Sequence, residues 1–391
     1  MCHRILLLLV CQLKLLELLN KYPMIKNKIK PIAIYLPQFH PIPENDKWWG
    51  KGFTEWTNVT KAKPKFEGHY QPHLPADLGF YDLRLEEARL AQEQMAKEYG
   101  IHGFCYYHYW FNGRRVLYEP LDRKLKNSKE NLPFMMCWAN ENWTRAWDGG
   151  VKDVLLEQNY SEDDDRQHIK FLLSYFKDER YIKVNNKPFF IFYKPDLFPD
   201  MAQTIAIFRE EALKENVELY LGCFERWNGW NEEKLREFDF DAIIEFQPLS
   251  RSMKMYNDKK NSKNRFGRKI NEKLKRKLNA FFNLKGKKNK DSIVDYKKFI
   301  KFDLNNRKSG IYPGVCPMWD NSSRRVGQNA IMLKNSTPDL FKKWYREKTE
   351  ESNFSGLEDC FVFINAWNEW AEGNHLEPCQ KWNKSYLEAL L

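Results

Sequence analysis

The chain is predicted to be an α/β protein, a (β/α)8 TIM barrel with long βα loops and a basic insertion around residues 250–295. Three observations carry this. Eight short apolar runs recur along the 391 residues, with helical patterns between them. The runs are continuously hydrophobic rather than alternating, as strands of a parallel sheet covered on both faces must be. Each run ends in polar and aromatic residues, as expected of strands whose C-terminal ends meet at one mouth. An open doubly wound sheet is the alternative. However, no Gly-x-Gly-x-x-Gly or Gly-x-x-x-x-Gly-Lys stretch occurs to cradle a nucleotide.

The elements follow in order. The first run, Pro31 to Leu36, is succeeded by Gln38 and His40. A long aromatic loop comes next, holding Trp48, Trp49, Phe53, Glu55 and Trp56, then His69 to His73. Such a loop is costly to leave in water. It is expected to fold over the mouth and line subsites, with a capping hydrophobic cluster as the plainer alternative. Asp82 to Gly100 reads as a helix, with Asp near its start, apolar residues at helical spacing and a closing Gly. The second run, His102 to Tyr109, ends in His108, Tyr109 and Trp110. The third, Phe134 to Trp138, leads into Asn140, Glu141, Asn142 and Trp143.

Ser161 to Phe176 opens with an acidic first turn that suits a helix N-terminus. That explains Asp163, Asp164 and Asp165 better than a metal–nucleotide motif does. Phe189 to Tyr193 is the fourth run, with Lys194 at its end, and Met201 to Glu215 is the next helix. Glu218 to Phe224 leads to Glu225, Arg226 and Trp227; Ala242 to Phe246 carries Glu245 and Gln247. Ile311 to Met318 leads to Trp319 and Asp320, Pro338 to Glu350 reads as a helix, and Phe361 to Ile364 is the eighth run.

Composition fits one large domain, residues 30–391, behind an N-terminal extension 1–29. In that extension Ile5 to Val10 imitates a signal peptide, but Lys14 and Glu17 interrupt it and no small-residue cleavage site follows. A start upstream of the true one at Met24 is the expectation, ahead of an amphipathic surface helix or a signal. The scattered cysteines read as buried small hydrophobes in a reducing compartment, and none has zinc spacing. Neither metal nor cofactor is expected.

The net charge of +11 is concentrated in the insertion 251–292: from Arg251 to Lys290 there are 16 Lys and Arg against Asp258 and Glu272. Interleaved Leu274, Leu278, Phe281 and Phe282 suggest a basic amphipathic helix for an anionic membrane surface or a lipid-linked acceptor. A solvated lysine-rich loop is the plainer alternative. No recognition motif accompanies the charge, so nucleic acid is not expected.

The eighth run ends in Asn365-Ala366-Trp367-Asn368-Glu369-Trp370-Ala371-Glu372-Gly373-Asn374-His375. Glycan chemistry needs this mixture: indole faces for sugar C–H surfaces, amides for hydroxyls and two acids for the glycosidic bond. Glu369 and Glu372 are therefore the candidate catalytic pair. An ordinary solvated pair at a helix start is the alternative. A turn near Trp370 is required, because side chains three apart meet on a turn but diverge on an extended strand. The candidate substrate-binding set is Gln38, His40, Trp49, Glu55, Trp56, His108, Tyr109, Trp110, Asn140, Glu141, Trp143, Gln247, Trp319, Asn368 and His375.

At five motifs the chain resembles WbsX-type proteins, which are similar to glycoside hydrolase family 99. They are Ala33 to His40 (AIYLPQFH), Gly52 to Trp56 (GFTEW), Gly103 to Trp110 (GFCYYHYW), Trp138 to Trp143 (WANENW) and Trp367 to Gly373 (WNEWAEG). The resemblance implies a (β/α)8 barrel acting on glycans. Family 99 enzymes are retaining endo-α-mannosidases or mannanases thought to work through a 1,2-anhydro sugar. Carried over, Glu369 would deprotonate the sugar 2-hydroxyl and Glu372 would act as acid, then base. WbsX-type proteins resemble products of surface-polysaccharide gene clusters, usually labelled glycosyltransferases. The expected function is thus a cytoplasmic, membrane-peripheral glycosyltransferase of O-antigen or capsule synthesis. A retaining glycosidase is the alternative and a non-catalytic glycan-binding barrel a third.

Overall fold

The computed structural model describes residues 28–145, 150–260, 291–325 and 329–391. Eight parallel strands form one sheet: β1 (Lys30–Tyr35), β2 (Gly103–Phe111), β3 (Phe134–Trp138), β4 (Lys187–Phe192), β5 (Tyr220–Glu225), β6 (Ala242–Glu245), β7 (Gly314–Val315) and β8 (Phe361–Ile364). Their order around the sheet follows the chain, and β8 pairs β1, with Ala33 opposite Ile364. Tyr312 closes the ring between β6 and β7: its N–H donates to the Ile243 carbonyl at 2.9 Å, and its carbonyl accepts from Glu245 N–H at 3.0 Å. The result is a (β/α)8 barrel.

Aromatic rings fill the interior. Phe189 on β4 lies 5.9 Å from Phe361 on β8, although these strands are not neighbours. Contact between non-neighbouring strands places both rings inside the barrel. Gly314 allows the closing approach, since a Cβ there would sit 2.2 Å from the Glu245 carbonyl oxygen.

Helices cover the outside: α1 (Glu86–Glu98), α2 (Glu119–Lys126), α3 (Glu162–Phe176), α4 (Met201–Leu213), α5 (Glu232–Leu235), α6 (Tyr296–Leu304) and α7 (Pro338–Lys348). Ser161, Asp200 and Thr337 cap α3, α4 and α7 by accepting from the backbone N–H three residues on. Helix α1 starts later than the sequence suggests. Asp82 instead closes a turn, accepting from Arg84 N–H at 2.8 Å. Strand β7 is shorter than its apolar run because Pro313 and Pro317 bring no N–H to the ladder.

Of the basic segment, residues 251–260 are helical, while 261–290 lie outside the described residues, as does most of the N-terminal extension. The amphipathic helix expected over Leu274 to Leu284 falls in that range. Six cysteines, Cys105, Cys137, Cys223, Cys316, Cys360 and Cys379, are buried, and none forms a disulfide with another of the six. Among the described residues no helix is long and apolar enough to cross a membrane.

Candidate active site

Beyond β8 the chain is steered into the mouth by hydrogen bonds to β1. Trp367 N–H donates to Ile34 at 2.8 Å. The Asn368 amide grips the Leu36 backbone twice, accepting from its N–H at 2.7 Å and donating to its carbonyl at 3.0 Å. Asn368–Glu369 then pairs antiparallel with Asn374–His375 around a 3-10 turn, Trp370–Glu372. Gly373 completes the reversal at φ +53°, and a Cβ there would come within 3.0 Å of the Asp320 carbonyl oxygen. This is the turn that the spacing of Glu369 and Glu372 requires.

The loop after β7 packs on that turn. Asp320 N–H donates to the Glu372 carbonyl at 2.6 Å, and the Ser323 hydroxyl donates to the Ala371 carbonyl. Asp320 also caps the short turn Asn321–Ser323, and the next residue is Arg324. Its guanidinium gathers three carboxylates: Glu369 at 2.8 Å, Glu372 at 2.9 Å and Glu55 at 3.1 Å.

Three acids against one base cannot all ionise cheaply in a buried site. Burial pushes the Glu372 carboxyl up from 4.5 to about 7, opposed by Arg324 and reinforced by Glu369. Burial likewise raises Glu369, against the pull of Arg324 and with a push from Glu55. Glu55 is raised by burial too, again opposed by Arg324. Glu372 therefore keeps its proton up to about neutral pH.

The carboxylates open onto a cavity of about 420 Å³. Every strand end contributes to it: Gln38 and Trp49 after β1, Tyr107 and Tyr109 from β2, and Glu141 and Trp143 after β3. Tyr193 and Lys194 follow from β4, Arg226 and Trp227 from β5, Phe246 from β6, and Trp319 and Arg324 from β7. Several buried polar atoms of this wall have no hydrogen-bond partner among the described residues: Gln38 Nε2, both amide atoms of Asn45, Trp319 Nε1, and Arg226 Nε and Nη1. Buried polar groups are normally paired, so these atoms mark positions for ligand hydroxyls or charges. Among the described residues no three His, Cys, Asp or Glu side chains cluster as metal ligands do.

Of the candidate residues, Gln38, Trp49, Tyr109, Glu141, Trp143, Trp319, Glu369 and Glu372 line the cavity. The others lie behind it. His40 is fully buried, and its charged neighbours are Glu119, Asp82 and Arg84. Glu55 reaches the site only through Arg324. Trp56 packs on Phe39, Tyr81 and Trp370 and donates its indole N–H to the Tyr81 carbonyl at 2.9 Å.

His108 faces His168 of α3 at 2.9 Å, and Trp110 donates to Asp164 of the same helix at 2.9 Å. Both strand residues thus point outward to the helix layer. Asn140 ties β3 to β4 through the Lys194 backbone, and Gln247 donates to buried Asp303 at 2.9 Å. Asn368 is spent on Leu36, and His375 stacks on Trp370 and contacts His73 at 3.1 Å. These residues shape the mouth but do not form its surface.

Arg324, Asn45, Tyr107 and Tyr193 line the cavity without having been singled out. Tyr107 and Tyr193 lie in the apolar runs that form β2 and end at β4, so the strand-end position was the signal that could have found them. Arg324 carried none.

A parallel barrel with an indole-lined cleft and a carboxylate pair at its C-terminal mouth is a carbohydrate-active barrel in class. The Glycosyltransferase WbsX family profile matches residues 31–390. This chain belongs to that family. The protein named WxcX of Xanthomonas campestris pv. campestris is 38% identical over 364 residues, covering 92% of this chain. The match covers 48% of WxcX, so the chain spans about half the length of that relative.

Among solved structures, a glycoside hydrolase-like protein superposes with a TM-score of 0.55 at 13% identity, covering 94% of both chains. The GH99 endo-alpha-mannosidase of Bacteroides thetaiotaomicron does so with a TM-score of 0.54 at 13% identity, over 93% of this chain and 96% of its own. At that identity the likeness is one of fold.

Proposed function

We propose that this chain transfers a glycosyl unit with retention during cell-surface polysaccharide synthesis, such as O-antigen or capsule, using Glu369 and Glu372. The observation that carries this is the convergence of both carboxylates on one guanidinium at the edge of an aromatic cavity. Burial raises both carboxyls and Arg324 meets both, so their separate roles are taken from the resemblance to family 99. Glu369, bonded to Arg324 Nη2 at 2.8 Å, is the base. Glu372, pushed up to about 7, keeps a proton to donate.

In the first step Glu369 takes the proton from the sugar 2-hydroxyl, and O2 attacks C1. The bond from C1 to the leaving oxygen breaks as that oxygen receives the Glu372 proton. In the second step Glu372 takes the proton of an acceptor hydroxyl, whose oxygen attacks C1. The C1–O2 bond reopens, and O2 recovers its proton from Glu369. Two inversions give net retention. Trp49, Trp143 and Trp319 line the cavity beside the two acids and offer indole faces to a sugar ring.

Hydrolysis, with water as the acceptor, is the second reading, favoured by the shared fold of the GH99 endo-alpha-mannosidase. We place the enzyme at the cytoplasmic membrane face, with the basic segment 251–290 against anionic lipid or a lipid-linked acceptor. Its charge supports this: 16 Lys and Arg against two acids.

The test is incubation of purified protein with nucleotide sugars, lipid-linked acceptors and α-mannosides. Products on the acceptor support transfer, and free reducing sugar supports hydrolysis. If Glu369→Gln and Glu372→Gln both keep wild-type turnover, the carboxylate assignment is wrong.

A further inference from the structure

Among the described residues four Lys and Arg side chains are buried: Arg89, Lys124, Arg226 and Lys348. Three of them hold a carboxylate. Arg89 meets Glu130 at 2.8 Å, Lys124 meets Glu93 at 2.5 Å, and Lys348 meets Glu245 at 2.5 Å. Arg226 has no carboxylate within ion-pair distance among the described residues, and its Nε and Nη1 have no hydrogen-bond partner there. It is only 7% exposed.

Aromatic rings and backbone hold it in place. Its guanidinium lies 4.0 Å from the Tyr193 ring centroid and 4.6 Å from that of Phe246. The backbone is pinned where Trp227 N–H donates to the Leu249 carbonyl at 2.8 Å. Cation–π contact offsets part of the desolvation cost but satisfies no N–H in the guanidinium plane. Those donors belong to a side chain on the cavity wall.

We propose that Arg226 is the anchor of an oxyanion subsite, and that the glycan substrate carries a carboxylate or phosphate ester on the sugar beside the acid Glu372. This rests on the reading of the cavity as a glycan site. A neutral hydroxyl meets the N–H donors but brings no counter-charge within contact of the guanidinium, whose nearby acids Glu141 and Glu372 make no ion pair with it among the described residues. An oxyanion does both, and the planar guanidinium fork matches it bidentately. The location follows from the cavity, whose wall holds Arg226, Tyr193, Glu141 and Glu372 together; the Arg226 charge also acts on Glu372.

A diphosphate leaving group is the less fitting occupant, because it departs without needing the proton that Glu372 holds. Lys194 does not compete for the anion, since it is paired with Glu141.

The subsite is tested by binding, not turnover. Affinities of the wild type are measured by calorimetry for tetragalacturonate against its neutral methyl ester, for mannose 6-phosphate against mannose, and for uridine diphosphate. At least one charged saccharide is expected to bind about tenfold or more tightly than its neutral partner. That preference should shrink in high salt, and the two pairs distinguish a uronate from a phosphate ester. Arg226→Gln should bring the ratio close to one while the neutral partner binds as before, and Arg226→Lys should keep part of it.

Equal affinities within both pairs, or a preference that survives Arg226→Gln, overturns the proposal. So does preference for uridine diphosphate alone. If Arg226→Gln does not fold, the wild-type ratios and their salt dependence decide the matter. Glu369→Gln, which stops turnover under the proposed mechanism, should retain the preference. Failure of the mechanism is thus separable from failure of the subsite.

Discussion

Replacing Glu372 by Gln should make the protein more stable in alkaline solution while stopping its chemistry. The side chain keeps its shape, and the amide oxygen can still accept from Arg324 Nη1, now 2.9 Å from Glu372. What disappears is a titration. Burial raises the carboxyl from 4.5 to about 7 in the folded protein, with Arg324 opposing and Glu369 adding to the rise. Below pH 4.5 the group is neutral in both folded and unfolded chains and costs nothing. Between 4.5 and about 7 the unfolded chain releases the proton that the folded chain retains, so wild-type stability falls as pH rises. At about 1.4 kcal/mol per unit the loss totals roughly 3 kcal/mol above pH 7.

The Gln variant cannot titrate and avoids that loss. Melting temperatures of both proteins at pH 5 and pH 8 measure it: near coincidence at pH 5, and the variant higher by several degrees at pH 8. Turnover should drop by about 10²- to 10⁴-fold, the usual contribution of a general acid. A variant that is no more stable than wild type at pH 8 would falsify the assignment of Glu372 as a proton-holding acid.

Three other outcomes follow from the same geometry. Arg324→Gln removes the cation that bridges Glu55, Glu369 and Glu372; the acidic limb of the pH–rate profile should move upward, and an unmoved limb would show that Arg324 does not tune the base. Gly373→Ala forces a Cβ to within 3.0 Å of the Asp320 backbone at φ +53°; left-handed backbone alone costs about 1–2 kcal/mol, so melting should fall and turnover with it, and a neutral result would mean that the turn relaxes freely. Deleting residues 252–290 should weaken sedimentation with anionic vesicles; unchanged partitioning would remove the membrane-surface role of the basic segment.

The strands were legible because a sheet buried on both faces leaves uninterrupted apolar runs, and each of the eight runs overlaps a barrel strand. Their exact extent was not. Prolines 313 and 317 look like any strand-flanking residues in sequence, yet they split the run into a single bridge at Tyr312 and the short strand Gly314–Val315. The carboxylate pair was legible because both acids sit in one short segment rich in indoles. The binding surface was harder to read. His108 and Tyr109 are adjacent, but alternation along a strand sends one to the helix layer and the other to the mouth. Asn140, Gln247 and Asn368 have the amides that a sugar site uses, and the fold spends those amides on its own backbone and buried acids. Arg324 was invisible, because its role comes from the packing of the β7 loop on the turn after β8.

That shared guanidinium has a consequence for how such a protein can change. Glu369 and Glu372 share Arg324 as their ion-pair partner, so a substitution there resets both at once. A single position, 324, therefore acts as a common dial for both, and Glu55, hidden behind it, is the weight on the other end of the lever. Divergence toward a new acceptor or a new working pH is most easily reached by altering this supporting pair while the two acids themselves stay as they are.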